Sequence, residues 1–175
     1  QKLHDLATTD FLTGALNRGA FVTDIENRLA SGAASGKSRT SVLLVIDVDH
    51  FKMINDQFGH QSGDIALVRI ADALRDAIRD EDLFGRLGGE EFGIFLPDIA
   101  PDEAILMAEA CRIAVEQCPF TPLGDDQTLS VSVGVSFARP GDDFTSLFKQ
   151  ADNRLYLAKS QGRNRVEVET SALAA

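Results

Sequence analysis

The sequence predicts an α+β fold with a βαββαβ core of the ferredoxin-like or palm type, in which a central, mainly antiparallel sheet is flanked by helices. The apolar run Val42–Ile46 is typical of a strand that is buried on both faces. Residues 129–137 instead place an apolar side chain at every second position, which indicates a strand with one apolar face. The other elements follow the order that this core requires, and we expect the helices to pack on one face of the sheet.

The remaining elements follow from the spacing of apolar residues and from the residues that interrupt it. Apolar residues spaced four apart predict a first helix that opens at Asn17 and Arg18. The paired glycines Gly88 and Gly89 predict a tight hairpin turn with positive φ between two strands. Further helices are predicted over Phe51–Phe58, Gly63–Ile78, Pro101–Gln117 and Phe144–Ser160, further strands over Leu83–Leu87, Glu91–Leu96 and Arg165–Val168, and loops over Ser31–Thr40 and Pro119–Asp126.

The 175 residues are interpreted as one domain. Residues 1–9 are expected to form a linker or the end of a helix, residues 10–170 the domain, and residues 171–175 a tail. No apolar run approaches the ~20 residues that a membrane helix needs, and the N-terminus lacks the apolar region of a secretory signal. We therefore expect a cytoplasmic domain without direct membrane contact. Because the chain begins without Met and reads straight into structure, we expect it to be a piece of a longer protein, which could be membrane-attached, with an N-terminal sensor or regulatory domain.

The charge of the chain restricts its partners. With 17 basic and 27 acidic residues, the net charge is −10, which repels nucleic acids and anionic membranes. We expect no nucleic-acid partner, and an anionic ligand must be held by a local cluster of positive groups. The two cysteines, Cys111 and Cys118, fit neither a disulfide framework nor a metal motif, so we interpret them as free thiols.

Two carboxylates are expected to meet at one edge of the sheet. Asp47 directly follows the buried strand, and Glu90 follows the paired glycines on the strand expected beside it. Two close carboxylates repel each other unless a proton or a cation lies between them. A hard divalent ion with oxygen ligands suits this pair, and the backbone carbonyl of Val48 could complete the set. Taken singly, either carboxylate could be a surface charge at a strand end; the joint pattern favours a site.

Basic and amide side chains accompany the two carboxylates. Lys52 follows the strand within one helical turn, and Lys159 and Arg163 lie near the C-terminus. On an acidic chain, cations near a metal site indicate a triphosphate ligand, although Lys159 and Arg163 could instead support a helix C-terminus. Asn55 and Asp64 offer an amide and a carboxylate, a combination that matches the base edge of guanine better than that of adenine.

Three other motifs are interpreted as structural. Residues 32–38 resemble a P-loop, but they have one residue too few between the glycines and follow a helix instead of a strand. The pair Asp47 and Asp49 lacks the spacing of an EF-hand loop. His50 and His60 have no cysteine or third histidine nearby in the sequence, so we expect structural or backbone-positioning roles for them.

Four ordered segments resemble the GGDEF domain family of diguanylate cyclases. Residues 88–92 read Gly-Gly-Glu-Glu-Phe, the GGEEF form of the motif that names the family. The other three segments are residues 10–18, 47–64 and 151–166. Ala15 and Leu16 depart from the family's usual Leu and variable residue, at a structural position where we expect no loss of activity. The resemblance spans positions 7–168, nearly the whole chain.

The resemblance implies a role for each matching residue. Mg²⁺ or Mn²⁺ would be held by Asp47, the carbonyl of Val48 and Glu90; guanine by Asn55 and Asp64; and phosphates by Lys52, Lys159, Arg163 and the backbone amides around His50 and Phe51. The implied catalytic residues are Asp47, Lys52, Glu90 and Glu91, and the least defined of them is Glu91, with a second-metal or base role.

The resemblance also implies a reaction and its regulation. A homodimer would condense two GTP molecules into cyclic di-GMP and two pyrophosphates at its interface. Arg79 and Asp82 form an RxxD motif, with five residues between Asp82 and Gly88, that resembles the family's site of product inhibition by cyclic di-GMP. The same two residues could instead form an ordinary surface ion pair.

Other functions remain open at this stage. A catalytically silent GGDEF module could bind GTP or cyclic di-GMP and signal by contact, and loss of Asp47 or Glu90 would favour it; both residues are present. A purely structural dimerisation domain would not need this set of polar groups. A related cyclase with a mixed GMP–AMP product would be expected to change Asp64, which is aspartate here.

Overall fold

The computed structural model describes residues 7–32, 39–124 and 127–169. Four stretches lie outside the described residues: the first six residues of the linker predicted over 1–9, most of the P-loop-like segment, the last two residues of the loop predicted over Pro119–Asp126, and residue 170 with the tail predicted over 171–175. Within the described ranges, no helix combines the length and the apolar character that a membrane crossing requires.

The helices and strands follow each other in the predicted order. The helices are α1 (Arg18–Ala30), α2 (Phe51–Phe58), α3 (His60–Asp76), α4 (Pro101–Glu116) and α5 (Phe144–Ser160). The strands are β1 (Thr40–Val48), β2 (Leu83–Arg86), β3 (Glu91–Ile99), β4 (Val131–Phe137) and β5 (Val166–Val168), and a short 3₁₀ turn covers Thr121–Leu123. Helix α3 begins at His60 instead of Gly63 because Gly59, at φ 90°, turns the chain directly from α2 into α3.

The strands form one mixed sheet in the order β2-β3-β1-β4-β5. β1 is antiparallel to both β3 and β4, and β2 is antiparallel to β3, whereas β4 and β5 are parallel. The predicted α+β fold, with a central and mainly antiparallel sheet flanked by helices, is confirmed. Since β1 is the central strand, its end at Asp47 and Val48 lies between β3 and β4.

Helices cover both faces of the sheet, so the expectation that they pack on one face is wrong. Val42, Leu44 and Ile46 belong to the core that α3 and α4 close. Leu43 and Val45 belong to a second core, which α1 and α5 close on the opposite face. The uninterrupted apolar run in β1 follows from this arrangement, because each face of the central strand is covered.

Strand β4 is also buried on both faces, although we expected only one of them to be apolar. Both serines of β4 are at most 1% exposed, and the hydroxyl of Ser136 donates to the carbonyl oxygen of Leu147 over 2.8 Å. Gly134 lies directly against the backbone of α5, where a Cβ would collide with the carbonyl oxygen of Ala151. Small side chains on this face therefore allow α5 to pack on β4 and bring Lys159 to the end of β1.

Replacing Gly134 with alanine should lower the free energy of unfolding by about 1–3 kcal/mol, because the added methyl group meets helix backbone that cannot rotate away. The control is Gly19→Ala in α1, where the new Cβ makes an ordinary contact 3.6 Å from Oδ1 of Asn17 and alanine favours the helix by up to about 1 kcal/mol. Chemical denaturation measures both variants. Equal stability of the two would contradict the close packing of α5 on β4.

Candidate active site

The ends of β1 and β3 bring the two predicted metal-binding carboxylates to one place. Asp47 pairs with Glu91 in the sheet register, and the backbone N–H of Val48 donates to the carbonyl oxygen of Glu90 over 3.1 Å. Asp47, Val48 and Glu90 line one cavity of about 620 Å³. The two carboxylates therefore share the same pocket at the end of the central strand.

Most of the other predicted site residues line this cavity as well. From the predicted set, these are His50, Phe51, Lys52, Lys159 and Arg163, and the remaining lining residues are Asp49, Met53, Asp56 and Gln57. Basic side chains from α2, from α5 and from the loop after α5 thus meet the carboxylates of β1 and of the β2–β3 loop. The predicted residues that do not line the cavity are Asn55, Asp64, Arg79, Asp82 and Glu91.

Asp47 occupies a charged and largely buried position. Its side chain is 13% exposed, and its Oδ2 lies 3.1 Å from Nζ of Lys159 in the last turn of α5. Burial raises the pKa of Asp47; Lys159 opposes this shift, while the negative charges of Glu90 and Asp49 add to it. Excess negative charge at one buried point is the electrostatic condition that a divalent cation would relieve.

Glu91 lies beside Asp47 instead of in the cavity lining. The two residues are directly paired on neighbouring antiparallel strands, which puts their side chains on the same face of the sheet. Burial raises the pKa of Glu91, and the charges of Asp47 and Asp152 raise it further against the opposing charges of Lys159 and Arg18. Its role at a second metal or as a base stays a prediction.

The N-terminus of α2 opens onto the cavity. His50 has a left-handed backbone, with φ 54° and ψ 31°, and directly precedes Phe51, the first helical residue. The side chain of His50, a described residue, makes no capping hydrogen bond to the helix. Free amide groups and the helix dipole favour an anion at such a position. The predicted contact of a phosphate with amides around His50 and Phe51 is compatible with this geometry.

Lys52 and Arg163 reach the cavity from exposed segments. The side chain of Lys52 is 88% exposed and pairs with Asp56, one turn further along α2, over 2.7 Å. An exposed pair of this kind is weak, so a phosphate could replace Asp56 as the partner of Lys52. Arg163 has a left-handed backbone at φ 65°, and its N–H donates to the carbonyl oxygen of Ala158 at the end of α5.

Asn55 and Asp64 lie where α2 meets α3, outside the cavity lining. Oδ1 of Asn55 is buried and, within the described part of the chain, has no hydrogen-bond partner. It lies against Gly63, whose missing Cβ leaves the space that Asn55 and the ring of Phe51 occupy. Asp64 follows on α3 and is exposed. An unpaired amide oxygen near an exposed carboxylate is compatible with the guanine subsite, which stays a prediction.

Arg86 holds the loop that carries Glu90. Its Nε and Nη2 donate to the carbonyl oxygens of Gly88 and Gly89 over 3.1 and 2.7 Å, and its Nη1 donates to the carboxylate of Asp10 over 3.1 Å. Neither glycine has a positive φ, so that expectation is wrong. The loop between β2 and β3 has four residues and does not need the geometry of a two-residue turn. A Cβ on Gly89 would meet nothing within 4 Å, which leaves this side open to a ligand.

Arg79 and Asp82 form an ion pair that precedes β2 and does not line the cavity. Nη2 of Arg79 lies 2.7 Å from Oδ1 of Asp82 and also donates to the carbonyl oxygen of Pro97. The ion pair that the alternative expected is therefore present, but it does not lie fully on the surface, because the side chain of Asp82 is fully buried. Arg79 keeps 27% of its side chain exposed, so the arginine is the member of the pair that a ligand could contact.

Sequence reasoning gave no role to Arg86, Asp10 or Asp49. Asp10 and Asp49 belong to segments that carry the family resemblance, and Arg86 lies two residues before the paired glycines. The sequence signal that could have pointed to Arg86 is a basic residue only four positions before Glu90 and five before Glu91. Its contacts could not be derived from spacing, because Arg86 and Asp10 are 76 residues apart in the chain.

The donor atoms at the cavity fit a hard divalent cation. In residues 7–32, 39–124 and 127–169, no group of three or more His, Cys, Asp or Glu side chains is arranged to hold a metal. The candidate set is instead Asp47 and Glu90 with the backbone carbonyl of Val48. An all-oxygen set of this kind suits Mg²⁺ or Mn²⁺, which keep further positions for water and phosphate oxygens.

Comparison with known proteins decides the family. The family described as "Diguanylate cyclase, GGDEF domain" matches residues 7–165. The chain belongs to the GGDEF domain family. This GGDEF domain is 39% identical over 162 residues to diguanylate cyclase DgcP of Pseudomonas aeruginosa, in a match that covers 93% of the chain and 24% of DgcP.

Two further relatives agree with this family. The GGDEF domain is 44% identical over 165 residues to the response regulator PleD of Caulobacter vibrioides, with 93% of the chain and 36% of PleD covered. The chain therefore spans well under half the length of these curated relatives. The structure matches the coiled coil and GGDEF domain of DgcB from Caulobacter crescentus in complex with c-di-GMP, with a TM-score of 0.86, 32% identity, and 96% of this chain and 88% of that chain covered.

Replacing Glu91 with glutamine should stabilise the domain near neutral pH, because the change removes a charge that the fold disfavours. The charged form of Glu91 destabilises the folded domain fully at a pH above the raised pKa that Glu91 has in the folded state. This destabilisation disappears below the pKa that Glu91 has in the unfolded chain, where the carboxyl group is neutral in both states. The gain should therefore shrink between about pH 7 and about pH 4. Denaturation curves at both pH values test this, with Asp80→Asn as an exposed control. A gain that is independent of pH would argue against the buried charge.

Proposed function

We propose that this GGDEF domain condenses two molecules of GTP into cyclic di-GMP, with release of two pyrophosphates, at the interface of a homodimer. The observation that carries the proposal is the meeting of Asp47 and Glu90 in one cavity with three basic side chains. Oxygen ligands for a metal and cations for phosphates are the two main requirements of nucleotide transfer. A relative named diguanylate cyclase, 39% identical over 93% of the chain, supports the same reaction.

The metal position is assigned to Asp47, the carbonyl of Val48 and Glu90. Mg²⁺ or Mn²⁺ bound there would neutralise phosphate charge and lower the pKa of the attacking hydroxyl group. Lys159 lies 3.1 Å from Asp47, which supports a contact of its ammonium group with the same phosphates.

The chain's own residues would bind and orient GTP. The phosphate contacts are assigned to the amides around His50 and Phe51 and to Lys52, Lys159 and Arg163. The guanine contacts are assigned to Asn55 and Asp64, because the buried and unpaired Oδ1 of Asn55 would gain a donor from the base.

The reaction joins two bound nucleotides. The 3′-hydroxyl of one GTP attacks the α-phosphorus of the other, so a P–O bond forms while the bond to pyrophosphate breaks. The hydroxyl proton must leave, and we assign its acceptance to Glu91, which lies beside the cavity, paired with Asp47 on the neighbouring strand, and whose pKa is raised by burial and by the charge of Asp47. A second, equivalent step closes the ring. The two-fold symmetry of the product then matches a dimer in which each domain presents one GTP.

The surroundings of the domain are part of the proposal. The match covers 24% of DgcP and 36% of PleD, which supports an output domain within a longer protein that carries an N-terminal sensor or regulatory domain. We place this domain in the cytoplasm, where GTP is available. The relative DgcB has been described in complex with c-di-GMP, which supports binding of the same nucleotide here.

Product inhibition is assigned to Arg79 and Asp82. The buried carboxylate of Asp82 accepts from both the backbone N–H and the guanidinium of Arg79, so it fixes the direction of that side chain. The exposed part of Arg79 can then donate to a guanine edge or a phosphate of cyclic di-GMP.

Replacing Glu90 with glutamine should slow cyclic di-GMP formation at least about a hundredfold, because the amide cannot supply the negative charge that holds the cation. The enzyme is incubated with GTP and Mg²⁺ and the product is identified by mass, with ATP as the substrate control. Asp24→Asn removes a carboxylate outside the cavity and should keep the wild-type rate. Full activity of Glu90→Gln would refute the metal assignment, and GTP binding without turnover in the wild type would favour the silent module.

Removing the Arg79–Asp82 pair should abolish inhibition by added cyclic di-GMP. The double variant Arg79→Ala with Asp82→Ala is preferred to the single one, because it leaves no buried carboxylate without a partner. Initial rates are measured with and without added product, and the ratio of the two rates is compared within each protein. An unchanged ratio in the double variant would place the inhibitory site elsewhere.

A further inference from the structure

Asp49 is the most thoroughly bonded carboxylate near the cavity. Its Oδ1 accepts from the hydroxyl of Ser132 over 2.6 Å, and its Oδ2 accepts from the hydroxyl of Ser130 over 2.7 Å and from the backbone N–H of Asn164 over 2.9 Å. The residue is 5% exposed, and its own N–H donates to the carbonyl oxygen of Ser130. The hydrogen bonds offset the cost of burying this charge.

These contacts argue against a third metal ligand at this position. Asp49 lines the cavity and is two residues from Asp47, so its carboxylate is close enough in sequence to be considered as a ligand of the same cation. Three donors already occupy the two carboxylate oxygens of Asp49, and one of these donors is the backbone N–H of Asn164 in the loop after α5. The oxygens of the carboxylate are therefore engaged by the two serines and by the loop after α5.

The loop after α5 needs outside support to keep its shape. Gly162, Arg163 and Asn164 have φ values of 123°, 65° and 45°, a run of left-handed residues that L side chains rarely adopt. Asn164 is held on its other side by α4, where it donates to Glu116 over 2.5 Å and accepts from Arg112 over 3.0 Å. Asp49 supplies a side-chain acceptor for the backbone N–H of Asn164, next to the bond that the N–H of Arg163 donates to the carbonyl oxygen of Ala158.

We propose that Asp49 is a positioning residue that fixes the backbone of Asn164 and thereby holds Arg163 in the phosphate-binding wall of the cavity. The inference rests on the proposed function, in which Arg163 contacts the phosphates of GTP. Asp49 itself touches no substrate in this assignment. It acts across 115 residues of sequence by joining the end of the central strand to the loop that follows α5.

A double-mutant cycle tests this inference. Asp49→Ala, Arg163→Ala and the double variant are compared in their affinity for the α,β-methylene analogue of GTP with Mg²⁺, measured by calorimetry, which requires no turnover. Each single change should weaken binding about tenfold or more, as expected for loss of a charged hydrogen bond. The double variant should bind no more weakly than Arg163→Ala, since Asp49 acts through that side chain.

Two matched variants separate positioning from general stability. Ser132→Ala removes one hydrogen bond from the same carboxylate but leaves the bond to Asn164, and its affinity should stay within about threefold of wild type. Asp49→Asn can keep an acceptor toward Asn164 while its amide donates to a serine hydroxyl, so it should restore most of the affinity. If Asp49→Ala does not fold, Asp49→Ser replaces it, because its side chain is too short to reach Asn164.

Hydrogen exchange supplies a readout that does not depend on nucleotide. The amide of Asn164 should exchange faster in Asp49→Ala than in Ser132→Ala. Additive losses of affinity in the cycle, or equal exchange in these two variants, would overturn the positioning role. Wild-type affinity of Arg163→Ala would instead contradict the phosphate contact in the proposed function, so the two failures are distinguishable.

Discussion

The repulsion among carboxylates at the end of the central strand is the constraint on which the site depends. Asp47, Asp49, Glu90 and Glu91 lie at one end of the sheet, and buried charges this close need partners. Three of these carboxylates are accommodated in different ways. Asp49 accepts hydrogen bonds from three donors, Asp47 pairs with Lys159, and the pKa of Glu91 is raised. A divalent cation would be attracted by the negative charge that remains uncompensated. The same carboxylates that lower the stability of the fold would therefore also bind the cation.

Local signals were sufficient for most of the secondary structure. Helix α5 begins and ends as predicted, because Asp143 forms a capping box with Ser146 and Gly162 follows the last turn. The packing of helices on both faces was missed because it depends on partners distant in sequence. Small and polar residues of β4, such as Gly134 and Ser136, resemble a solvent-facing side until α5 is known to lie on them.

The candidate site, like the fold, was predictable from the sequence only in part. The family resemblance identified most of the residues that line the cavity, including Asp47, Glu90 and Lys159, but not Asp49. It could not reveal how the surrounding loops are held, because the bonds of Arg86 to Asp10 and of Asn164 to Asp49 join segments 76 and 115 residues apart. Such contacts are set by the sheet topology and leave no periodic pattern in the sequence.

The central place of β1 in the sheet has a consequence for how the domain moves. Its hydrogen bonds to β3 and β4 lie in the middle of the sheet and are expected to open only on extensive unfolding, whereas Lys52 extends from a short surface helix. Asp47 is therefore attached to the most constrained strand of the sheet, whereas Lys52, with 88% of its side chain exposed, can turn toward a different partner. A substitution of Lys52 should therefore alter a proposed phosphate contact at little cost in global stability, whereas a substitution of Asp47 would alter both the proposed cation site and the buried ion pair with Lys159.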